Sequence, residues 1–186
     1  MNLEAGTWKP ELTGKASSIK LILLDVDGVL TDGAVVMYGD GSESKRFHIR
    51  DGIALVWAQR VGLKVGILSA RHSATTIQRA AQLGITLVYQ GVASKAAAYD
   101  AILSDTAVTD AEVAYMGDDV VDLAVLRRVG LSAAPSDAVA EVRASVDFVS
   151  THRGGEGAVR ELVEMILRAQ GHWNSIVSGY QHEEGA

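Results

Sequence analysis

A chain of 186 residues with 48% hydrophobic composition is long enough for one well-buried core and short for two, which predicts a single domain over 1–186. A net charge of −6 argues against a broad nucleic-acid or anionic-membrane surface and leaves room for a small anionic substrate. With no cysteine, disulfides and thiolate metal sites are excluded, so any metal must take oxygen or histidine ligands.

In chain order, residues 1–18 are mixed and polar, without the basic start and apolar centre of a signal peptide. No apolar run approaches the ~20 residues of a membrane span, so a cytoplasmic protein is expected. The first predicted strand, Ile19 to Leu24, runs into "DVDGVLTDG", which sets Asp25, Asp27 and Asp32 among glycines and aliphatics. "AVVMYGDGSESKRFHI" has two extended runs around a turn sequence and predicts a β-hairpin over about 34–49. Further strands are predicted at 64–68, 86–89, 113–116, 131–133 and 147–149, and helices at 53–61, 74–83, 95–103, 120–128, 136–143 and 158–170. Asp51, Ser73, Ser94 and Pro135 supply start signals for four of the helices. The core thus spans about 19–170, and the tail, 171–186, is expected to end in disorder. Strands alternating with amphipathic helices predict an α/β fold: a doubly wound, mostly parallel sheet with helices on both faces, a hairpin insertion after the first strand and no large cap domain.

Ligands of such sheets bind beyond the carboxyl ends of the strands. There the sequence places Asp25 and Asp27 after the first strand, Ser69 and Arg71 after the second, Lys95 after the third, and "GDDVVD" with Asp118, Asp119 and Asp122 after the fourth. Each alone reads as a turn, cap or solvated residue; together they put acid, hydroxyl, base and acid on one sheet edge. Carboxylates gathered at one edge repel one another unless a cation sits among them, and Mg2+ suits an all-oxygen set completed by substrate phosphate. Asp25 and Asp118 are the expected carboxylate ligands. Asp25 is also placed to attack a phosphate and form an aspartyl phosphate, with Asp27 as the proton shuttle. Lys95 offsets charge, while Ser69 and the backbone N–H groups around 26–28 hold phosphoryl oxygens.

"DVDGVLTDG", Ser69 in "ILSARHS", Lys95 and "GDDVVD" resemble, in order, the four motifs of the haloacid dehalogenase superfamily. Within it, "FHIRDG", "LVYQG", "YMGDDVVDL" and "GGEGAVREL" look like the 3-deoxy-D-manno-octulosonate 8-phosphate phosphatase family of lipopolysaccharide sugar synthesis. The resemblance implies a Mg2+ site of Asp25, Asp27 (through its backbone carbonyl) and Asp118, backed by Asp119 and Asp122. It implies substrate contacts at Asp27, His48, Ile49, Arg50, Asp51, Gly52, Arg71, Arg79 and Lys95. It also implies a homotetramer in which hairpins associate and neighbouring subunits cover each active site. Relatives commonly carry a basic residue where this chain has Glu156.

Three other readings compete. A nine-carbon sialic-acid-like 9-phosphate would use the same motifs, and Arg71 favours the eight-carbon sugar acid. A phospho-accepting receiver domain places adjacent acids on its first strand and its phosphoacceptor on the third, an order opposite to "DVD" early and "GDDVVD" late. A non-catalytic relative should have lost a reactive group, and Asp25, Asp27, Ser69, Lys95 and Asp118 are all present.

Overall fold

Consecutive apolar residues can all be buried only in a strand covered on both faces, and Leu21–Leu24 (β1) lies inside such a sheet. Leu21 and Leu23 pack into one core, Ile22 and Leu24 into the other, the alternation of a pleated strand. The computed structural model describes residues 8–181. In chain order its elements are α1 (Pro10–Ser17), β1, β2 (Val36–Met37), β3 (Glu43–Ser44), α2 (Ile49–Arg60), β4 (Lys64–Ser69), α3 (Ala74–Gln82) and β5 (Leu87–Gln90). There follow α4 (Lys95–Thr106), β6 (Val113–Met116), α5 (Leu123–Leu126), β7 (Leu131–Ala134), α6 (Ala140–Arg143), β8 (Phe148–Val149), α7 (Ala158–Ala169) and α8 (Trp173–Gln181).

The main sheet has strand order β5-β4-β1-β6-β7-β8 and is parallel throughout. Residues of α1, α2, α3 and α7 enter the core around Ile22 and Leu24, and those of α4, α5 and α6 the core around Leu21 and Leu23. The chain winds outward from β1 to β5, then crosses back to β6 on the other side of β1. That reversal opens a crevice at the carboxyl ends of β1 and β6, the position where doubly wound sheets bind ligands. Asp25 directly follows β1, and Asp118 lies just past β6.

Several local expectations are corrected. The hairpin shrinks to a pair of short strands, Val36 against Ser44 and Met37 against Glu43. Its turn is held by Asp40, whose Oδ1 accepts from the Ser42 N–H (2.9 Å) and hydroxyl (2.6 Å). Beyond β3 the chain turns inward at Lys45 and starts α2 at Ile49, not near 53. "VVDLAVLRR" is a 3-10 turn (Val120–Asp122) followed by the single turn of α5, because Asp119 and Asp122 spend their side chains on backbone N–H groups there. The stretch 136–143 is helical only over α6. Ser73 and Ser94 do cap their helices, accepting from Thr76 N–H (3.2 Å) and Ala97 N–H (3.3 Å). Two helices lie outside the predicted set. α1 starts on Pro10, and α8 sets Trp173 edge-on to Trp57 at 5.7 Å while Trp57 Nε1 donates to the Tyr180 hydroxyl (3.0 Å). The part of the tail at 182–186 lies outside the described residues.

Asp51 is the most informative correction. It does not start α2 but sits in its first turn, buried, and reaches across to the start of α7. There Oδ1 accepts from Arg160 N–H (2.8 Å) and Oδ2 from Gly157 N–H (3.3 Å), although α7 has no cap from its own N-cap residue. The loop so anchored lies against the β1 loop: Gly155 N–H donates to the Val29 carbonyl (2.9 Å), and a Cβ on Gly154 would stand 1.8 Å from the Gly28 carbonyl oxygen. Asp51→Ala would orphan both amides, and urea unfolding is expected to show a loss of about 2 kcal/mol, with Asp51→Asn losing less. Equal stability of Asp51→Ala and the parent chain would refute the cap.

Candidate active site

Lys95, in the first turn of α4, is buried beneath the crevice and bonds two acids at once. Its Nζ lies 2.6 Å from Asp25 Oδ2 and 2.5 Å from Asp122 Oδ1. Tyr115, on β6, donates its hydroxyl to the same Asp122 oxygen (2.5 Å), and Asp122 Oδ2 accepts from the N–H groups of Asp118 (3.0 Å) and Asp119 (3.3 Å). Asp122 is thus saturated by its neighbours and shapes the loop. Asp119, exposed, turns its Oδ1 to the Val120 N–H (2.7 Å).

Asp25, Asp118 and Asp122 each offer an oxygen within 4.8 Å of the others. Burial, then the negative charge of Asp25, Asp122 and Asp119, pushes the Asp118 carboxyl up to about 7. Burial also raises Asp25, against the opposing pull of Lys95. The Asp118 carboxylate accepts no hydrogen bond among the described residues, and a Cβ on Gly28, at φ +84°, would stand 2.0 Å from its Oδ2. Only glycine lets the loop after β1 come this close.

Asp27 stands at the rim in a second group of charges. Lys45 Nζ meets its Oδ1 at 2.6 Å and Arg71 Nη1 approaches its Oδ2 at 3.6 Å, while Arg71 Nη2 donates to Glu43 Oε2 at 2.9 Å. Ser69, buried at the end of β4, accepts from the Arg71 N–H (3.3 Å). Asp32 shapes the turn into the hairpin, accepting from Ala34 N–H (3.1 Å) and pairing with Arg46 (2.8 Å).

The structure therefore brings together Asp25, Asp27, Ser69, Arg71, Lys95, Asp118 and Asp122. It does not bring "HIRDG" to them: among the described residues no hydrogen bond or ion pair joins 48–52 to that cluster. His48, Ile49 and Arg50 line a separate open cleft of about 540 Å³ with Arg46, Phe47, Gly155 and Glu156. Gly52 and Asp51 are buried at the α2 start, and Arg79 lies over the Phe47 ring (5.8 Å) beside Gly52. Glu43, Lys45 and Tyr115 were not anticipated. Glu43 and Lys45 lie two apart in an extended run, hence on one face, but charges in a hairpin normally read as its solvated side. Tyr115 sits in an apolar strand, and nothing in the run distinguishes its inward hydroxyl.

Residues 67–162 match the model of the haloacid dehalogenase-like hydrolases. The 3-deoxy-D-manno-octulosonate 8-phosphate phosphatase of Escherichia coli K12 is 40% identical over 166 residues, 89% of this chain and 88% of that protein. The chain belongs to the haloacid dehalogenase-like hydrolases. The Haemophilus influenzae phosphatase of the same name is 41% identical over 84% of this chain and 87% of its own. A crystal structure of the Moraxella catarrhalis phosphatase, in complex with a magnesium ion, a phosphate ion and a KDO molecule, superposes with a TM-score of 0.90 at 35% identity, covering 92% of this chain and 98% of that one.

Mg2+ is the cofactor of this hydrolase family, and the donor set here fits it: all oxygen, acidic, with Asp25 and Asp118 mutually repelled in its absence. A carboxyl raised in the fold from its ordinary 3.8 to about 7 binds more protons folded than unfolded between those values. Without metal, this group therefore makes stability fall as pH rises through that window. Ligation needs the ionised form, so stabilisation by Mg2+ should grow with pH across the same window. Unfolding midpoints with Mg2+ and with EDTA check this: the Mg2+ increment is expected to be larger at about pH 8 than at about pH 5. A larger increment at the acid end runs against the assignment.

Proposed function

We propose that the chain is a Mg2+-dependent phosphoric monoester hydrolase that converts 3-deoxy-D-manno-octulosonate 8-phosphate to 3-deoxy-D-manno-octulosonate and phosphate in lipopolysaccharide sugar synthesis. The observation that carries the reaction type is Asp25, buried at the mouth of β1 and held by the Val26 N–H at Oδ1 (2.7 Å) and by Lys95 at Oδ2. A carboxylate fixed on both oxygens is oriented for attack before substrate arrives. The substrate follows from the relatives, whose similarity spans most of the chain.

When bound, Mg2+ would be held by Asp25, Asp118 and the Asp27 carbonyl, and would neutralise phosphate charge. Asp25 attacks phosphorus and the ester oxygen leaves with a proton from Asp27. A water, deprotonated by Asp27, then cleaves the acyl phosphate and restores the Asp25 carboxylate. Lys95 offsets charge on Asp25 throughout, and Ser69 with the backbone N–H groups of 26–28 holds phosphoryl oxygens. On this reading Arg71, half exposed beyond Asp27, meets the carboxylate end of the sugar acid, a role its exposed guanidinium supports.

The same reading makes the enzyme a cytoplasmic homotetramer. Supporting association, the hairpin exposes Val36 (54%), Met37 (64%) and Tyr38 (52%) on an element with no cap domain above it. On that reading His48, Ile49 and Arg50, which line the open cleft, serve substrate through the assembled form, and Asp51 and Gly52 hold them in place. Among the described residues no helix is long and apolar enough to cross a membrane.

Inorganic phosphate release with Mg2+ from the eight-carbon and nine-carbon esters tests the assignment. The eight-carbon ester is expected to be preferred, and a clear preference for the nine-carbon one would overturn it. Asp25→Asn should lower kcat by more than about 1,000-fold. Arg71→Ala should act chiefly on KM, raising it about 10- to 100-fold through the lost charged contact. Full activity of Asp25→Asn would sink the mechanism.

A further inference from the structure

We propose that Lys45, carried by the hairpin, is a positioning residue that fixes which oxygen of Asp27 handles the proton. The inference rests on Asp27 being the acid and base of the reaction. Lys45 follows β3, and its side chain is 1% exposed, an unusual burial for a lysine on a surface hairpin. Its Nζ donates to Asp27 Oδ1 at 2.6 Å and stands 3.9 Å from Glu43 Oε1. Asp27 Oδ2, in contrast, is buried and has no hydrogen-bond partner among the described residues, the Arg71 guanidinium standing off at 3.6 Å. A buried carboxylate oxygen without a donor is costly unless something else uses it. Here it is the free oxygen of a carboxylate whose rotation is blocked by the bond at the other.

The hairpin is itself pinned where Lys45 needs it. The Thr75 hydroxyl, in the first turn of α3, donates to the Glu43 carbonyl (3.1 Å), and the Glu43 side chain holds Arg71. Lys45 thus enters the site from a strand tied to α3 and to the loop after β4.

In the first step the Asp25 oxygen forms a bond to phosphorus and the bond from phosphorus to the ester oxygen breaks. That oxygen keeps the electron pair and takes the proton from Asp27 Oδ2. In the second step water oxygen bonds to phosphorus, its proton passes to Asp27 Oδ2, and the bond from phosphorus to Asp25 breaks. Both transfers use the oxygen that Lys45 leaves free.

A merely structural ion pair would weaken reaction with every ester alike. A positioning residue for the acid matters only where the leaving oxygen needs a proton. The test is single-turnover phosphorylation of Asp25, by rapid quench with Mg2+, using the sugar acid 8-phosphate and 4-nitrophenyl phosphate, whose phenolate leaves without help. Lys45→Met is expected to slow phosphorylation by the sugar ester about 100-fold and by the aryl ester less than about 5-fold. Lys45→Gln, which keeps a donor, should fall between parent and Lys45→Met, and it carries the same comparison if Lys45→Met does not fold. An equal loss with both esters, or no loss, overturns the role of Lys45. Asp27→Asn measured alongside separates the two possible failures. Ester dependence there but not in the Lys45 variants removes Lys45 alone, whereas its absence in Asp27→Asn removes the reading of Asp27 beneath it.

Discussion

The site depends on one buried cation. Among the described residues Lys95 is the only base that touches the acids at the bottom of the crevice, and it bridges Asp25 and Asp122 at bonding distance. Several carboxylates converge there in a place where water screens little, so their repulsion must be met by charge of the opposite sign. Lys95 meets part of it permanently, since burial lowers its proton affinity but the two carboxylates more than reverse that effect. What remains unmet falls on Asp118, whose carboxylate accepts no hydrogen bond among the described residues and is raised to about 7. The molecule is therefore built with a deficit of positive charge at one point, the point between Asp25 and Asp118.

The fold explains why this deficit can be maintained. β1 and β6 are neighbours with opposite crossovers, so the loops leaving them diverge and a crevice is enforced by topology. Both strands are buried along their whole length, which leaves Asp25 and Asp118 little freedom to separate. Asp122 then acts as a tie: its two oxygens gather Lys95, Tyr115 and two backbone amides, so the loop bearing Asp118 cannot relax outward. The repulsion on Asp118 is therefore not relieved by movement of its loop.

How much of this could be read from sequence follows from the range of the forces involved. The sheet was legible because burial on both faces writes itself as apolar runs, and the gathering of Asp25, Asp27, Ser69, Lys95 and Asp118 at one sheet edge was legible because strand ends in a doubly wound fold have one destination. Ser73 and Ser94 were legible as caps since capping is local. Asp51 was misread for the complementary reason. Its sequence position mimics a helix start, but its partners are Gly157 and Arg160, more than a hundred residues away. Arg79 has a similar history: in the fold its guanidinium lies against Phe47 and Gly52, contacts that no spacing rule foretells. The break in the helix expected at 120–128 was not legible because the Asp119 and Asp122 side chains take up backbone N–H groups there.

The hairpin links the surface of this small chain to the charges around Asp27. Its inner face delivers Glu43 and Lys45 to the charges around Asp27, while its outer residues Val36, Met37 and Tyr38 stay exposed. The two faces belong to strands of only two residues each, too short to be rigid without outside support. Thr75 gives that support from one side, and any contact that covers Val36 to Tyr38 gives it from the other. Ordering the outer face therefore orders Lys45 and Glu43 as well, and through Glu43 it orders Arg71. Met37 pairs with Glu43 across the hairpin, so a substitution there, remote from any reacting atom, reaches Lys45 and Arg71 through the strand it disturbs.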